Sequence, residues 1–198
     1  MKLTIVEGPD GSGKTTYINK MRHNLDDPEN IVVMRYPDNR EDVPIRDLLF
    51  NSSMTEHRMG SAFLFLADFL HGFEKDVLPR IGEPGIHFVF DRHIPSMLIY
   101  QGIPLHAFNM LINSMFDLSK FVWFMRKAEY IYLKPKDLPT HIARLQSKYK
   151  TGDTNAYDPK EDDHGGIVEN LFKYRDFFEN GMTRLGILGS YNLKTIEV

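Results

Sequence analysis

Short apolar runs alternate with helical patterns along the chain, and this alternation is typical of βαβ units built around a parallel sheet. Five runs have the length and composition of strands, at residues 3–6, 31–36, 86–91, 130–133 and 194–198. Helical patterns predict helices between them, at residues 15–21, 43–50, 55–77, 105–116, 138–146 and 167–178. The pattern therefore predicts an α/β protein with a parallel sheet.

The helix predicted over residues 55–77 carries a narrow apolar stripe that we assign to the core. At roughly 100° per residue, this stripe consists of Met59, Ala62, Phe63, Leu66, Leu70, Phe73 and Val77. Phe65 and Phe69, one turn apart, lie to the side of it. These two aromatics need another partner, either a neighbouring element, a second copy of the chain or a planar ligand. Additional core is the commonest answer.

No internal repeat and no linker divides the 198 residues, which we therefore expect to form a single domain, residues 1–198. The polar stretch at residues 147–166 is rich in Gly, Lys and Asp. It is too long for a plain connection, and we expect either a mobile lid or a disordered loop there.

Composition limits the partners that the protein can bind and the cellular compartment in which we expect it. The chain has 24 basic and 27 acidic residues, a net charge of −3, and this balance does not favour binding to nucleic acid or to an anionic membrane. It has no cysteine, which excludes disulfides and thiol catalysis and fits a reducing compartment. There is no signal-peptide pattern and no apolar run near the roughly 18 residues of a membrane span. We expect a soluble, cytoplasmic protein.

Residues 8–16 fit the phosphate-binding pattern of Gly, four residues and Gly-Lys-Ser/Thr, between a predicted strand and a predicted helix. The glycines let backbone N–H groups turn inward, and the helix N-terminus reinforces the resulting anion nest. We expect Lys14 to contact the outer phosphates and Thr15 to offer its hydroxyl to Mg²⁺. An ordinary glycine turn would not explain Lys-Thr with both flanks in place. The predicted nucleotide-binding residues are Gly8, Pro9, Asp10, Gly11, Ser12, Gly13, Lys14, Thr15 and Thr16.

Asp91 and Arg92 stand at the carboxyl end of the strand predicted over 86–91. Ligands of open parallel sheets bind at that edge. Asp91 suits a carboxylate that holds Mg²⁺ directly or through water, and the Arg92 guanidinium can clamp a phosphate bidentately. Arginine stands where a water-activating glutamate would follow, which favours transfer over hydrolysis. A surface Asp-Arg pair is the alternative.

Two other phosphate-loop classes lack their signatures. The Asn-Lys at residues 19–20 continues as Met21-Arg22, so the guanine reader Asn-Lys-x-Asp is missing, and there is no Leu-Ser-Gly-Gly-Gln. A small kinase that closes over ATP and a second phosphate remains.

Four ordered motifs then resemble those of thymidylate kinases, a family of nucleoside monophosphate kinases, at residues 7–16, 35–38, 64–68 and 91–102. The resemblance runs from residue 1 to roughly residue 160. It implies a P-loop NTPase fold in which helices flank the five predicted parallel strands on both sides, with a lid. It also implies transfer of the ATP γ-phosphoryl to dTMP with Mg²⁺, and commonly a homodimer.

The same resemblance implies roles for individual residues. Asp10 resembles the carboxylate that binds the deoxyribose 3′-hydroxyl, and Arg92 the clamp on the acceptor phosphate. Tyr100 resembles the residue packed against the sugar, and Phe65 the aromatic that stacks on thymine.

Further positions line the acceptor or the lid in the resemblance. Tyr36 resembles part of the loop beside the sugar and phosphate, and Arg40 is an extra phosphate contact. Gly11 stands where some members have a loop arginine, so a positive charge near the phosphates must come from elsewhere, and the lid is where we expect it. The candidates there, which a solvated basic face explains equally well, are Arg144, Lys148 and Lys150. We expect the direct participants in the reaction to be Lys14, Asp10, Arg92 and Arg144.

The predicted base pocket departs from the family pattern at two positions. Phe69 stands where an arginine usually reaches the base, and Met97 where Asn or Thr meets the pyrimidine edge. Loss of paired polar groups weakens discrimination between bases. Candidate substitutes are Arg58, His71 and Gln101.

Three alternatives to dTMP phosphorylation therefore stay open. The first is a kinase for another or a modified pyrimidine deoxynucleotide, and the second is a deoxynucleoside kinase. The third, a non-enzymatic ATP-binding protein, fits poorly with the complete set of Lys14, Thr15, Asp91 and Arg92.

Overall fold

The computed structural model describes residues 1–24, 28–37, 44–51, 57–104, 106–108, 110, 123, 126–150, 164–181 and 192–198. Its strands are β1 (Lys2–Glu7), β2 (Ile31–Arg35), β3 (His87–Asp91), β4 (Glu129–Lys134) and β5 (Asn192–Glu197). They form one sheet in the order β2-β3-β1-β4-β5, and every neighbouring pair is parallel. The predicted five-stranded parallel sheet is thereby confirmed.

The helices are α1 (Lys14–His23), α2 (Ile45–Asn51), α3 (Arg58–Gly72), α4 (Ile94–Gln101), α5 (Leu138–Lys150) and α6 (His164–Asp176). α3 and α6 each continue into a π-helical turn, Phe73–Val77 and Phe177–Gly181. Short 3₁₀ turns occupy Pro28–Asn30 and Leu78–Arg80. Within the described ranges, no helix is both long enough and apolar enough to cross a membrane.

Alternate residues of each central strand point to opposite faces of the sheet, and each face has its own core. The larger core joins helices α3, α4 and α6 to strand residues that include Ile5, Phe88, Phe90, Tyr130 and Tyr132. On the other face, Ile18 of α1 packs with strand residues Val6, Ile31, Val89, Ile131 and Leu133. Helices therefore cover both faces, and the polar loops at the strand ends are left to form a site.

Helix α4 was not predicted, because its residues give no amphipathic signal. Seven of its eight residues are buried, and a helix buried on all sides has no polar face to reveal a period. Pro95 also reads as a breaker, although it lies in the first turn, where proline is tolerated because that N–H needs no partner in the helix. The helix predicted at 105–116 falls largely outside the described residues, and residues 106–108 and 110 are helical.

The predicted core stripe of α3 is wrong at two positions. Met59 and Phe63 are 53% and 42% exposed, whereas Phe69, which was placed off the stripe, is 2% exposed. Helix α3 packs on α4 as well as on the sheet, so its buried face is wider than a single stripe and includes Phe69.

Both ends of residues 147–166, the segment expected to be a mobile lid or a disordered loop, are helical. Helix α5 continues to Lys150 and α6 already begins at His164. The remaining residues of the prediction, 151–163, lie outside the described part of the chain.

Candidate active site

An open cleft of about 740 Å³ lies where β1, β2 and β3 end, and residues of helices α1 to α5 complete its lining. Arg40 lies outside the described residues, and Gly8 and Pro9 form the start of the loop behind the lining. Lys150 is helical and is not among the described residues that line the cleft. The predicted residues that the fold brings together here are Asp10, Gly11, Ser12, Gly13, Lys14, Thr15, Thr16, Tyr36, Phe65, Phe69, Asp91, Arg92, Met97, Tyr100, Arg144 and Lys148.

Glycine is required at both ends of the loop between β1 and α1. A Cβ on Gly8 would lie 2.6 Å from Ser12 Oγ and 2.8 Å from the Leu133 carbonyl oxygen, so no side chain fits there. Gly13 has a φ of 82° and is the N-cap of α1. This left-handed conformation is open to glycine at little cost and directs the helix N-terminus toward the cleft.

Lys14 is held inside the loop by the backbone. Its Nζ donates to the carbonyl oxygens of Gly8 and Pro9, at 2.8 Å each, and the residue is 8% exposed. Burial, with the Arg92 charge, lowers the pKa of Lys14 to about 8. The ammonium group is thus placed beside the predicted phosphate nest and has little hydration to lose.

Asp10 links the loop to the end of β3. Arg92 Nη2 donates to its Oδ1 at 2.5 Å, and the Tyr100 hydroxyl donates to its Oδ2 at 2.5 Å. Burial alone would raise the pKa of Asp10, but the charges of Arg92, Lys14 and Lys148 hold that pKa well below its usual range. Arg92 itself has a φ of 72°, rare for a residue with a side chain. The turn after β3 therefore directs the guanidinium toward the loop.

The other side of Arg92 meets residues that sequence reasoning missed. Its Nη1 donates to the hydroxyl oxygens of Tyr174, at 2.5 Å, and Ser96, at 3.2 Å, and these two oxygens lie 2.8 Å apart. Ser96 Oγ also donates to Glu7, which accepts the His93 backbone N–H at 2.8 Å. Glu7 is fully buried, and burial raises its pKa to about 7. No local pattern could join Tyr174 to Arg92, because 82 positions separate them.

Asp91 and Thr15, the predicted Mg²⁺ ligands, face each other across Arg35. Arg35 Nη2 lies 3.0 Å from Asp91 Oδ2 and donates to Thr15 Oγ1 at 3.4 Å. A carboxylate and a hydroxyl suit Mg²⁺, which is usually held by one or two carboxylates together with nucleotide phosphates. The donor set therefore fits the ion, although the described residues contain no cluster of three or more metal-binding side chains.

The opposite end of the cleft is aromatic and apolar. Phe69 stacks on His93 at 4.5 Å between ring centroids and meets Tyr36 edge-on at 4.7 Å. Phe65 is only partly buried, and Met97 also belongs to the lining. Burial lowers the pKa of His93 to about 3, so its imidazole is neutral and packs as an aromatic ring.

The polar substitutes expected at this end do not line the cleft. Among the described residues, the lining does not include Arg58, His71 or Gln101. It does include Arg46, whose Nη1 donates to the Pro37 carbonyl at 2.9 Å. Arg46 was not predicted, because it lies on α2 without a motif of its own.

The sheet order, the phosphate loop and the acid–arginine pair define a P-loop nucleotide-binding protein. A model of the family described as thymidylate kinase matches residues 6–183. Because this match covers most of the 198 residues, the chain belongs to the thymidylate kinase family.

Individual relatives agree with the family match. The chain is 34% identical over 103 residues to a thymidylate kinase of Mycoplasmopsis agalactiae, covering 49% of this chain and 47% of that protein. It is 35% identical over 104 residues to a thymidylate kinase of Caldicellulosiruptor saccharolyticus, covering 52% and 50%. These matches span about half the length of both relatives. The crystal structure of thymidylate kinase from Ehrlichia chaffeensis has the same fold, with a TM-score of 0.64 and 20% identity over 100% of this chain and 88% of that one.

Proposed function

We propose that the protein transfers the γ-phosphoryl group of ATP to the 5′-phosphate of dTMP, giving dTDP and ADP. The observation that carries this proposal is the 2.5 Å contact between Asp10 in the phosphate loop and Arg92 at the end of β3. This contact supports the proposal because the residue expected to clamp the acceptor lies against the loop expected to hold the donor. Family membership supports the same reaction.

The chemistry asks mainly for positioning and charge neutralisation, because little covalent work is needed in phosphoryl transfer. Loop N–H groups and Lys14 would hold the donor phosphates, which displace the Lys14 contacts to Gly8 and Pro9. Arg92 would fix the acceptor phosphate. Arg144 and Lys148, at the rim of the cleft, would neutralise charge on the transferred group.

Mg²⁺, when bound, supplies a further positive charge beside the phosphates and would be held by Asp91 and Thr15. Asp10 is set up as a hydrogen-bond acceptor, because its lowered pKa keeps it ionised. It would bind the sugar 3′-hydroxyl, with Tyr100 against the ring. Together, Asp10 and Tyr100 would favour a deoxynucleotide as the acceptor.

A different or modified pyrimidine deoxynucleotide is the second candidate acceptor. It is favoured by the apolar end of the cleft, where Phe65, Phe69 and Met97 offer stacking and no hydrogen bonds to a pyrimidine edge. Arg46 is a further polar group in the lining, bound to the Pro37 carbonyl oxygen, and it would supply the missing contact if it turned from Pro37.

A panel assay of ADP release separates these functions. The purified protein is mixed with ATP, Mg²⁺ and, in turn, dTMP, dUMP, dCMP, dAMP, dGMP or thymidine. We expect dTMP to give the highest kcat/KM. Preference for another pyrimidine monophosphate would establish the second candidate, and activity with thymidine alone would indicate a nucleoside kinase. No ADP above background with any acceptor would overturn the enzymatic proposal. Phe69→Arg, which introduces a cation at a buried position of the lining, is expected to shift preference toward dTMP, and thermal unfolding checks that this variant keeps its fold.

We also infer that each chain forms a single domain and that two chains form a homodimer. We expect this dimer to act in the cytoplasm. Exposed apolar side chains on α3, Met59 and Phe63, border an apolar groove and support self-association. Sedimentation velocity tests this: a monomer at micromolar concentration would contradict it.

A further inference from the structure

Arg35 is the last residue of β2 and lies beside Asp91 in the sheet register. Its guanidinium makes a forked contact, with Nε 3.1 Å and Nη2 3.0 Å from the same Asp91 Oδ2. The Nη2 group also reaches Thr15 Oγ1 at 3.4 Å. One cationic group therefore joins the two oxygens that the proposed function assigns to Mg²⁺.

We propose that Arg35 is an internal cation that competes with Mg²⁺ for Asp91 and Thr15. In the nucleotide-free protein the guanidinium occupies the metal position, and the metal displaces it when it enters with the nucleotide. The inference rests on the proposed function for the identity of the metal site. It assigns to Arg35 an effect that neither the phosphate-loop motif nor the acid–arginine pair predicts.

The burial of the two partners explains why the contact is stable but reversible. The Asp91 side chain is 6% exposed, so its charge needs a partner when no metal is present. The Arg35 side chain is 56% exposed, and its head can return to water at small cost. Arg35 thus compensates the charge of Asp91 in the absence of metal, but its guanidinium is bound loosely enough to leave.

Arg92, the other arginine of the cleft, is the natural contrast. Its side chain is 17% exposed and is fixed by Asp10, Ser96 and Tyr174. A group with that many buried partners stays in place during ligand binding. Arg35 has most of its surface in solvent and only the two prospective metal ligands in these contacts.

Competition predicts a specific thermodynamic effect. If the guanidinium occupies the site for most of the time, the apparent metal affinity is reduced by the fraction of molecules in which the site is open. Removing the guanidinium should then tighten metal binding to the nucleotide-free protein. A residue that merely positioned Asp91 would have the opposite effect, because its loss would disorder the ligand.

The test is titration of nucleotide-free protein with Mn²⁺, a stand-in for Mg²⁺ whose free form is read by electron paramagnetic resonance. Arg35→Met should tighten Mn²⁺ binding about fivefold, as expected if the guanidinium occupies the site in most molecules of the nucleotide-free protein. Lys20→Met is the matched control, because Lys20 lines the same cleft and carries the same charge. It should change the affinity less than twofold, as only general screening is altered. The double variant Arg35→Met/Asp91→Asn should lose the tightened site.

Unchanged or weaker Mn²⁺ binding in Arg35→Met overturns the proposal, as does equal tightening in Lys20→Met. Persistence of the tight site without Asp91 also overturns it. Thermal unfolding of each variant checks the fold, and Arg35→Gln replaces the methionine variant if that one is unfolded. Because Mn²⁺ binding is measured without turnover, failure here is distinct from failure of the acceptor panel, which tests the kinase reaction itself.

Discussion

The two ends of the cleft are built on different physics. At the phosphate end, which is the part of the cleft around the loop at residues 8–16, Lys14 is buried and Asp10 and Arg92 are partly buried, and each charge is held by directional contacts at 2.5–2.8 Å. At the base end, which is the aromatic and apolar part of the cleft, the ring of Phe69 stacks on that of His93 at 4.5 Å between centroids. Directional contacts fix a reaction geometry, whereas stacking surfaces accept any planar ring of suitable size. If the proposed function holds, the phosphoryl transfer is therefore specified more narrowly than the base of the acceptor nucleotide.

The same contrast appears in how each end responds to pH. Glu7, beneath the phosphate end, is a buried acid whose pKa is raised to about 7. His93, at the base end, is a buried base whose pKa is lowered to about 3. Burial disfavours the charged form of both groups. Their contributions to stability consequently have opposite slopes with pH.

The largest expected effect is loss of a charge at the phosphate end. Lys14→Ala and Arg92→Ala should each lower kcat/KM by about a thousandfold or more, since each removes a cation that stabilises transferring phosphate. Circular dichroism should show a retained fold. Arg80→Ala is the control, because Arg80 pairs with Glu83 on the surface, and its activity should be normal. Near-normal kcat/KM in either cleft variant would refute the assignment of the phosphate end.

Truncation of the two base-end phenylalanines should separate packing from ligand contact. Phe69→Ala should lower the free energy of unfolding by about 3–4 kcal/mol, because Phe69 is a fully packed core residue. Phe65→Ala should cost less stability and instead weaken nucleotide binding, by about 1–3 kcal/mol for a lost stacking surface. Urea unfolding and isothermal titration calorimetry measure the two effects. If both variants lose only stability, neither ring contacts the base.

The pH dependence of unfolding tests the opposite slopes. Below pH 6.5, His93 becomes protonated in the unfolded chain but stays neutral in the folded protein. The free energy of unfolding therefore falls as the pH falls toward 3. His93→Gln should therefore lose about 2 kcal/mol less than the wild type between pH 6.5 and 5.

Glu7 works in the other direction. Between pH 4.5 and 7 the folded protein retains a proton that the unfolded chain has released, so its contribution falls as the pH rises. Glu7→Gln should steepen the loss of stability on acidification. Identical pH profiles for both variants and the wild type would contradict the account of both ends.

The smallest effect is expected from the tyrosine that holds Arg92 from behind. Tyr174→Phe removes the hydroxyl that accepts Arg92 Nη1 and should cost about 1 kcal/mol, or roughly fivefold in kcat/KM. If Tyr174 positions the clamp, the KM for dTMP should rise while the KM for ATP stays constant. Equal changes in both would indicate a general structural defect.

The sheet and the donor loop could be predicted from the sequence because each depends on a pattern of neighbouring residues. The strand runs and the glycine pattern at residues 8–16 each specify a conformation within a few positions. Helix α4 was not predicted, because a helix buried on all sides shows no helical period of apolar residues. Pro95 also suggested the end of a helix, although it lies in the first turn. Phe69 was placed beside the core stripe, because only the packing of α4 on α3 reveals how wide the buried face is.

The contacts that complete the site were not readable for a different reason. Arg35 meets Asp91 only because β2 and β3 pair in one register, and Tyr174 meets Arg92 only because α6 packs on α4. Such partners depend on tertiary placement, which residue types and spacing leave undetermined. That Asp10 and Arg92 belong to one site could be predicted, because the resemblance to the family assigns both residues to the acceptor.

Transfer of isotope from ATP labelled at the γ-phosphate tests the central claim most directly. With dTMP present, the label should appear in dTDP, one equivalent for each ADP formed, and Arg92→Ala should abolish it. Label released as free phosphate, or ADP formed without labelled dTDP, would contradict phosphoryl transfer between the donor loop and the Arg92 clamp.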